Sequence, residues 1–190
     1  MLPKTPMFCV AAAVLLTLAA PAEASQLQSG LAAFARQDYV RAGALLQLPA
    51  RQGNPDAQAA ICYMHTLGRG LPQSNRAAAY WCRRAANQGS PQAQYMLGLL
   101  YNKGHGVPED FVLAYKWLNL AASRSYGPKQ DFSFRIRDSV ASKMSPAQIA
   151  RAQALSLAWR PVPERGAIIA HPCAPETCAA LDEMIVPQKP

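Results

Sequence analysis

The stretch "AQYMLGLLYNKGHGVPEDFVLAYKWLNLAA", residues 93–122, decides the fold, because its skeleton is written twice. At a spacing of 36 residues, Ala57 and Gln58 match Ala93 and Gln94, and Gly68, Gly70 and Pro72 match Gly104, Gly106 and Pro108. Ala78 and Trp81 then match Ala114 and Trp117, and Ala85 and Ala86 match Ala121 and Ala122. A period of this size marks stacked supersecondary units, none of which can bury its apolar face alone. Ala93, Leu97, Leu100 and Tyr101 keep helical spacing, as do Ala114, Trp117, Leu118, Ala121 and Ala122, so the unit reads as two helices, A and B, around a glycine elbow. No alternating strand pattern competes between Ser25 and Trp159.

The elbow, "GHGVPED" at 104–110 and "GRGLPQS" at 68–74, raises the question of a ligand loop. A phosphate cradle needs further glycines and a Lys followed by Ser or Thr, or a strand running straight into a helix at the glycines. Neither is present. Gly104 instead suits the left-handed residue that closes a helix, Gly106 a second tight bend, and Asp110 or Ser74 the N-cap of the next helix. The alanines let neighbouring helices approach closely, and Trp81 and Trp117 are expected to fill the wedge between units rather than form a sugar platform.

Weaker copies flank the full units 53–88 and 89–124. Asp38 and Ala42 fall one period before Ser74 and Ala78, which places a degenerate unit at 26–52. Downstream, "DFSFRIRDSVASKM" reads as one helix and "SPAQIARAQALSLAW" as another, opened by a capping box of Ser145 and Gln148 with Pro146 in the first turn. These capping helices, 131–159, would cover apolar faces at the end of the stack. The fold expected is all-α: an α/α superhelical solenoid of helix-turn-helix repeats, with capping helices and an irregular C-terminal tail.

The pattern Ala-x-x-x-Leu-Gly-x-x-Tyr-x-x-Gly-x-Gly-Val-x-x-Asp-x-x-x-Ala-x-x-Trp-x-x-x-Ala-Ala, from Ala93 to Ala122, resembles the Sel-like repeat (the Sel-one type), a branch of the tetratricopeptide-like α/α solenoids. The earlier unit departs from it with Cys62, His65 and Ser74 where the later one has glycine, tyrosine and aspartate. The resemblance covers roughly residues 26–160. It implies an adaptor for other proteins, commonly in exported bacterial regulators and envelope factors, and implies neither a catalytic mechanism nor a named partner.

Residues 1–24 read as a secretory signal peptide: Lys4, an apolar run from Phe8 to Ala20, Pro21, and the small-residue site Ala22-Glu23-Ala24. The expected place is therefore periplasmic or secreted, with no membrane insertion after leader removal. The chain carries a net charge of +8, unchanged by losing Lys4 and Glu23. Its bases are dispersed, and the densest pairs, Arg83 with Arg84 and Arg135 with Arg137, are too small for a nucleic-acid footprint. Nucleic acid is not expected as a partner; an acidic glycan or peptidoglycan is possible on charge alone.

Four cysteines remain beyond the leader, an even number in an oxidising compartment. Cys62 lies ten residues before Pro72 and Cys82 ten after it. In a helix pair folded at that elbow they stand at similar heights, which predicts a disulfide, with two buried free thiols as the alternative. Cys173 and Cys178 sit in a proline-rich tail, residues 161–190, and read as a local disulfide, with free or intermolecular thiols as the alternative. His171 beside them would complete only three of four zinc ligands and no second pair lies near, so no metal and no cofactor is expected. His65 and His105 lack a nucleophile and acid in any arrangement the sequence vouches for, so no catalytic residue is assigned and the chain reads as no enzyme.

The family geometry implies a concave face made mainly by the A helices. Along it Tyr63, Met96, Leu99 and Lys103 fall on a partly apolar stripe and are the candidate contacts to a protein partner of unknown identity. Two functions stay open at this level: an exported adaptor or regulator of the cell envelope, and a periplasmic protein that binds or hydrolyses peptidoglycan.

Overall fold

In the computed structural model, which describes residues 25–164, the chain is helical throughout, with no strand among the described residues. Helix α1 covers residues 25–35. It is followed by α2 (Tyr39–Arg51), α3 (Pro55–Leu67), α4 (Asn75–Asn87), α5 (Pro91–Lys103), α6 (Phe111–Arg124), α7 (Pro128–Ala141) and α8 (Pro146–Ala158). From α2 to α7 each helix packs against the next, while α8 packs on α6 instead of pairing with α7. The described helices form a two-layered solenoid, with α1, α3, α5 and α7 as A helices and α2, α4 and α6 as B helices.

The period recurs in the helix ends. Asp38, Ser74 and Asp110 each accept a hydrogen bond from the backbone N–H three residues on, at 3.3, 3.2 and 2.9 Å. This satisfies donors that the first helical turn leaves free. Proline occupies the first turn of α3, α5, α7 and α8, where its missing N–H costs nothing. Gly68 and Gly104 close α3 and α5 in the left-handed conformation, at φ 67° and 66°.

The second elbow glycine has a different task. A side chain at Gly70 would overlap the carbonyl oxygen of Tyr39, and one at Gly106 that of Asn75, each the first residue of the preceding B helix. Each elbow is thus seated on the start of the B helix one unit back, which sets the spacing between units.

A glutamine fixes the same spacing at the opposite edge. Gln58, Gln94 and Gln130, one period apart, donate from Nε2 to the carbonyls of Ala50, Ala86 and Ala122 at 3.0, 3.2 and 3.2 Å. Gln58 and Gln94 are fully buried, so each clamp gives a desolvated amide a partner in a helix-terminal carbonyl that also accepts a backbone N–H from the turn after it. By this mark α7 is the A helix of a third copy, although its sequence has otherwise drifted. The last turn of α2 shows another compensation. Pro49 cannot bond back to the Leu45 carbonyl, and the Gln26 side chain does so at 3.1 Å.

The core is in two clusters bridged by Trp81, which packs against both. Cys62 and Cys82, both fully buried, are joined by a disulfide between α3 and α4, with their Cα atoms 5.1 Å apart. One period later the same two positions are Gly98 and Leu118, and a Cβ on Gly98 would come within 2.7 Å of the Leu118 side chain. One unit therefore closes its hairpin covalently where the next seats a leucine over a glycine.

After α8 the chain turns back along the edge formed by the turns between units. Trp159 meets Trp117 edge-on at 6.3 Å and lies under the Arg124 guanidinium at 4.2 Å. The Val162 N–H donates to the Asn87 carbonyl. The Glu164 carboxylate accepts from Arg84 Nε at 3.0 and 3.1 Å and from Gln58 Nε2 at 3.0 Å. Burial alone would lower the Arg84 pKa, but the hydrogen bonds it donates to Glu164 and Tyr80, with the charge interactions there, outweigh it and the pKa is raised. The leader, residues 1–24, and most of the tail, with Cys173 and Cys178, lie outside the described residues.

Candidate functional site

Because side chains three and four apart share a helix face, successive A helices present one continuous surface. Between α1, α3, α5 and α7 this surface is hollowed into an open groove of about 1060 Å³. Its floor is aromatic. At one end Phe34 meets Tyr39 and Tyr63 edge-on at 5.6 and 5.4 Å. At the other end Tyr95 and Phe132 are 5.8 Å apart. Edge contacts of this kind add to burial and hold the rings in place without filling the space above them.

A smaller crevice of about 250 Å³ between α3 and α5 continues the groove toward the elbows. Tyr63, Met96, Leu99 and Lys103, the four residues read from the sequence, all line it, and Tyr63 and Met96 line the main groove as well. Tyr63, Met96 and Leu99 are half-buried and Lys103 is exposed.

Other lining residues escaped the sequence reading. Tyr95 stands beside Met96 and three residues from Gln92, so helical spacing alone could have added it. Phe34 belongs to α1, the half of the degenerate unit that lies before its matched residues Asp38 and Ala42. Phe132, Lys129 and Arg135 come from α7, read only as a cap; Gln130, one period after Gln94, was the signal that α7 continues the A-helix row.

Burial raises the pKa of Tyr95. It also raises that of Tyr63, reinforced by the neighbouring Tyr39 hydroxyl and partly opposed by the charge of Arg69. Both phenols are therefore neutral O–H groups at ordinary pH, able to donate as well as accept. Arg69 reaches the Tyr39 and Tyr63 hydroxyls at 3.4 and 3.5 Å and lies 5.6 Å from the Tyr39 ring centre.

The groove holds aromatic surface, a flexible methionine and a few cations. Those parts suit binding. Among the described lining residues, the Ser125 and Ser133 hydroxyls are each given to a backbone carbonyl of their own turn. His65 is spent on the elbow, its Nδ1 2.9 Å from the Pro72 carbonyl. Among the described residues no group of three or more His, Cys, Asp or Glu could hold a metal ion, and no helix is long and apolar enough to cross a membrane.

Comparison with known proteins gives a consistent picture. The family model for the Sel1 repeat matches residues 55–90 and 91–126. No curated protein matches the chain in sequence. Among solved structures it is similar to a protective antigen present in uropathogenic Escherichia coli strains that displays an SLR fold, with 25% identity and a TM-score of 0.64 over 88% of this chain and 34% of the antigen. It is also similar to a Sel1 repeat protein from Oxalobacter formigenes, with 28% identity and a TM-score of 0.54 over 68% of this chain and 54% of the other. The chain thus spans about a third of the first relative's length and about half of the second's.

Proposed function

This chain is a Sel1-repeat protein, and on that premise we propose that it is an exported, non-enzymatic adaptor or regulator of the bacterial cell envelope whose groove holds a segment of a partner protein. Sel1 repeats generally mediate protein–protein interaction. The observation that carries the reading here is the open aromatic groove laid across four A helices. A small ligand is usually enclosed; a trough of this length and openness matches an extended or helical polypeptide docked by side-chain anchors. Export is supported by the leader-like first 24 residues, by a structural disulfide, which persists in oxidising compartments, and by the likeness to a protective antigen.

The test is site-specific photo-crosslinking in the envelope fraction. A crosslinker replacing Met96 should capture a defined protein, one replacing the exposed Arg151 of α8 should not, and Tyr63→Ala should abolish the capture. Equal capture at both positions would place the partner elsewhere. Sedimentation with purified cell-wall sacculi, together with no capture at Met96, would turn the reading to peptidoglycan binding.

A further inference from the structure

We infer that the segment held in the groove is acidic, with carboxylates flanking large apolar anchors; this rests on the reading of the groove as a protein-docking surface. The charges around it are one-sided. Lys129 and Arg135 stand at the α7 end and Lys103 at the far end of the crevice, all three exposed, against a single lining carboxylate, Asp56. Among the described residues no carboxylate is seen paired with these three cations; Arg84 pairs with Glu164 and Arg137 with Asp138, both elsewhere. Arg135 is held 5.5 Å from the Phe132 ring centre and Arg69 beside the Tyr39 and Tyr63 hydroxyls. Cations thus stand at the rim of an apolar floor, where a carboxylate would gain charge-assisted hydrogen bonds while neighbouring side chains bury against Tyr95 and Met96. A basic segment would meet like charge at both ends. A second copy of this chain brings the same net +8 and is repelled at long range.

The experiment uses the full-length mature protein and three labelled peptides of one length and one set of Leu and Phe anchors, flanked by Glu, by Gln or by Lys. Fluorescence anisotropy should show the Glu peptide binding about tenfold or more tighter than the Gln peptide, with the preference shrinking as salt rises. The triple variant Lys103→Glu, Lys129→Glu, Arg135→Glu, whose side chains are exposed, should reverse the order in favour of the Lys peptide. Tyr95→Ala with Met96→Ala should weaken all three peptides.

Equal affinities that all fall with the Tyr95 and Met96 changes would overturn the acidic partner and leave the docking groove standing. A Glu preference indifferent to those two changes would put the attraction outside the groove and overturn the assignment, and so would displacement of the Glu peptide by heparin binding more tightly, which would point to an acidic glycan. The chain's own segment Leu181-Asp182-Glu183-Met184-Ile185-Val186 has the same chemistry. If the protein binds a peptide only after Asp182→Lys with Glu183→Lys, that segment is the occupant and the partner in trans is refuted. Binding by no peptide in any variant would remove the acidic inference and the groove reading together.

Discussion

Replacing Cys62 by glycine and Cys82 by leucine writes into one unit the pair that the next carries at Gly98 and Leu118. The magnitudes follow from the two ways of closing a hairpin. The disulfide spans a sequence separation of 20, and loop closure of that length restricts the unfolded chain by about 3 kcal/mol. Cys62→Ala with Cys82→Ala forfeits that and leaves space where two fully buried sulfurs stood, costing about 1–2 kcal/mol more. The glycine–leucine pair also forfeits the crosslink and sets a glycine inside α3, costing about 1 kcal/mol more, but a leucine seated as Leu118 is, fully buried over the glycine, returns about 2–3 kcal/mol. The order of stability should be the natural protein, then the glycine–leucine variant about 1–2 kcal/mol below it, then the double alanine about 4–5 kcal/mol below. Urea unfolding followed by circular dichroism measures all three. A glycine–leucine variant no more stable than the double alanine would refute the equivalence of the two units. A natural protein no more stable than the double alanine would refute the contribution of the crosslink.

The two elbow glycines of the same unit should separate under mutation. Gly104→Ala pays only for a left-handed backbone, about 1 kcal/mol, because its Cβ has 3.5 Å of clearance, whereas Gly106→Ala also collides with the Asn75 carbonyl and should cost about 1–3 kcal/mol more; equal melting temperatures would show that the elbow is not seated on α4. Gln94→Leu removes the side-chain clamp on the Ala86 carbonyl, which keeps the Gly89 N–H, and should destabilise by about 0.5–1.5 kcal/mol in urea unfolding, the net worth of one hydrogen bond. Glu164→Gln removes the charge that pairs with Arg84, whose side chain is 11% exposed, and should cost about 1–2 kcal/mol; hydrogen exchange should quicken at α8 and in the turn at Gly53, and unchanged exchange there would mean that the returning segment carries no load.

Much of the architecture was legible because the strongest determinants are local or periodic. The caps at Ser74 and Asp110, the stops at Gly68 and Gly104 and the Ser145–Gln148 box are each set by residues within a few positions of one another. The packing of Ala78 and Trp81 is announced by their copies at Ala114 and Trp117. The disulfide between Cys62 and Cys82 was readable from symmetry about Pro72. Tyr63 on α3 and Met96, Leu99 and Lys103 on α5 could be placed along the crevice from helical spacing, while their part in binding belongs to the proposal. What escaped depends on contacts far apart in sequence. Gly106 looks like a flexible bend until the Asn75 carbonyl is seen beneath it. Gln58 and Gln94 look like polar surface residues on a helix, yet they are buried, because the carbonyls they clamp belong to the previous helix. The α7 share of the groove was hidden because Lys129, Ser133 and Phe134 stand one period after Ala93, Leu97 and Gly98, with only Gln130 keeping the register. Glu164 gave no sign of bonding to Arg84, 80 positions away.

A stack whose members touch only their neighbours can come apart from whichever end loosens first. The returning segment changes that, since Trp159, Val162 and Glu164 carry the chain from the last helix back past Asn87 to Arg84 and Gln58. It works as a guy-rope. Detaching α8 slackens the grip on α3 and α4, and prising α3 from α4 drops the far anchor of α8, so the outermost helix and the middle of the row should let go at one denaturant concentration instead of fraying in turn.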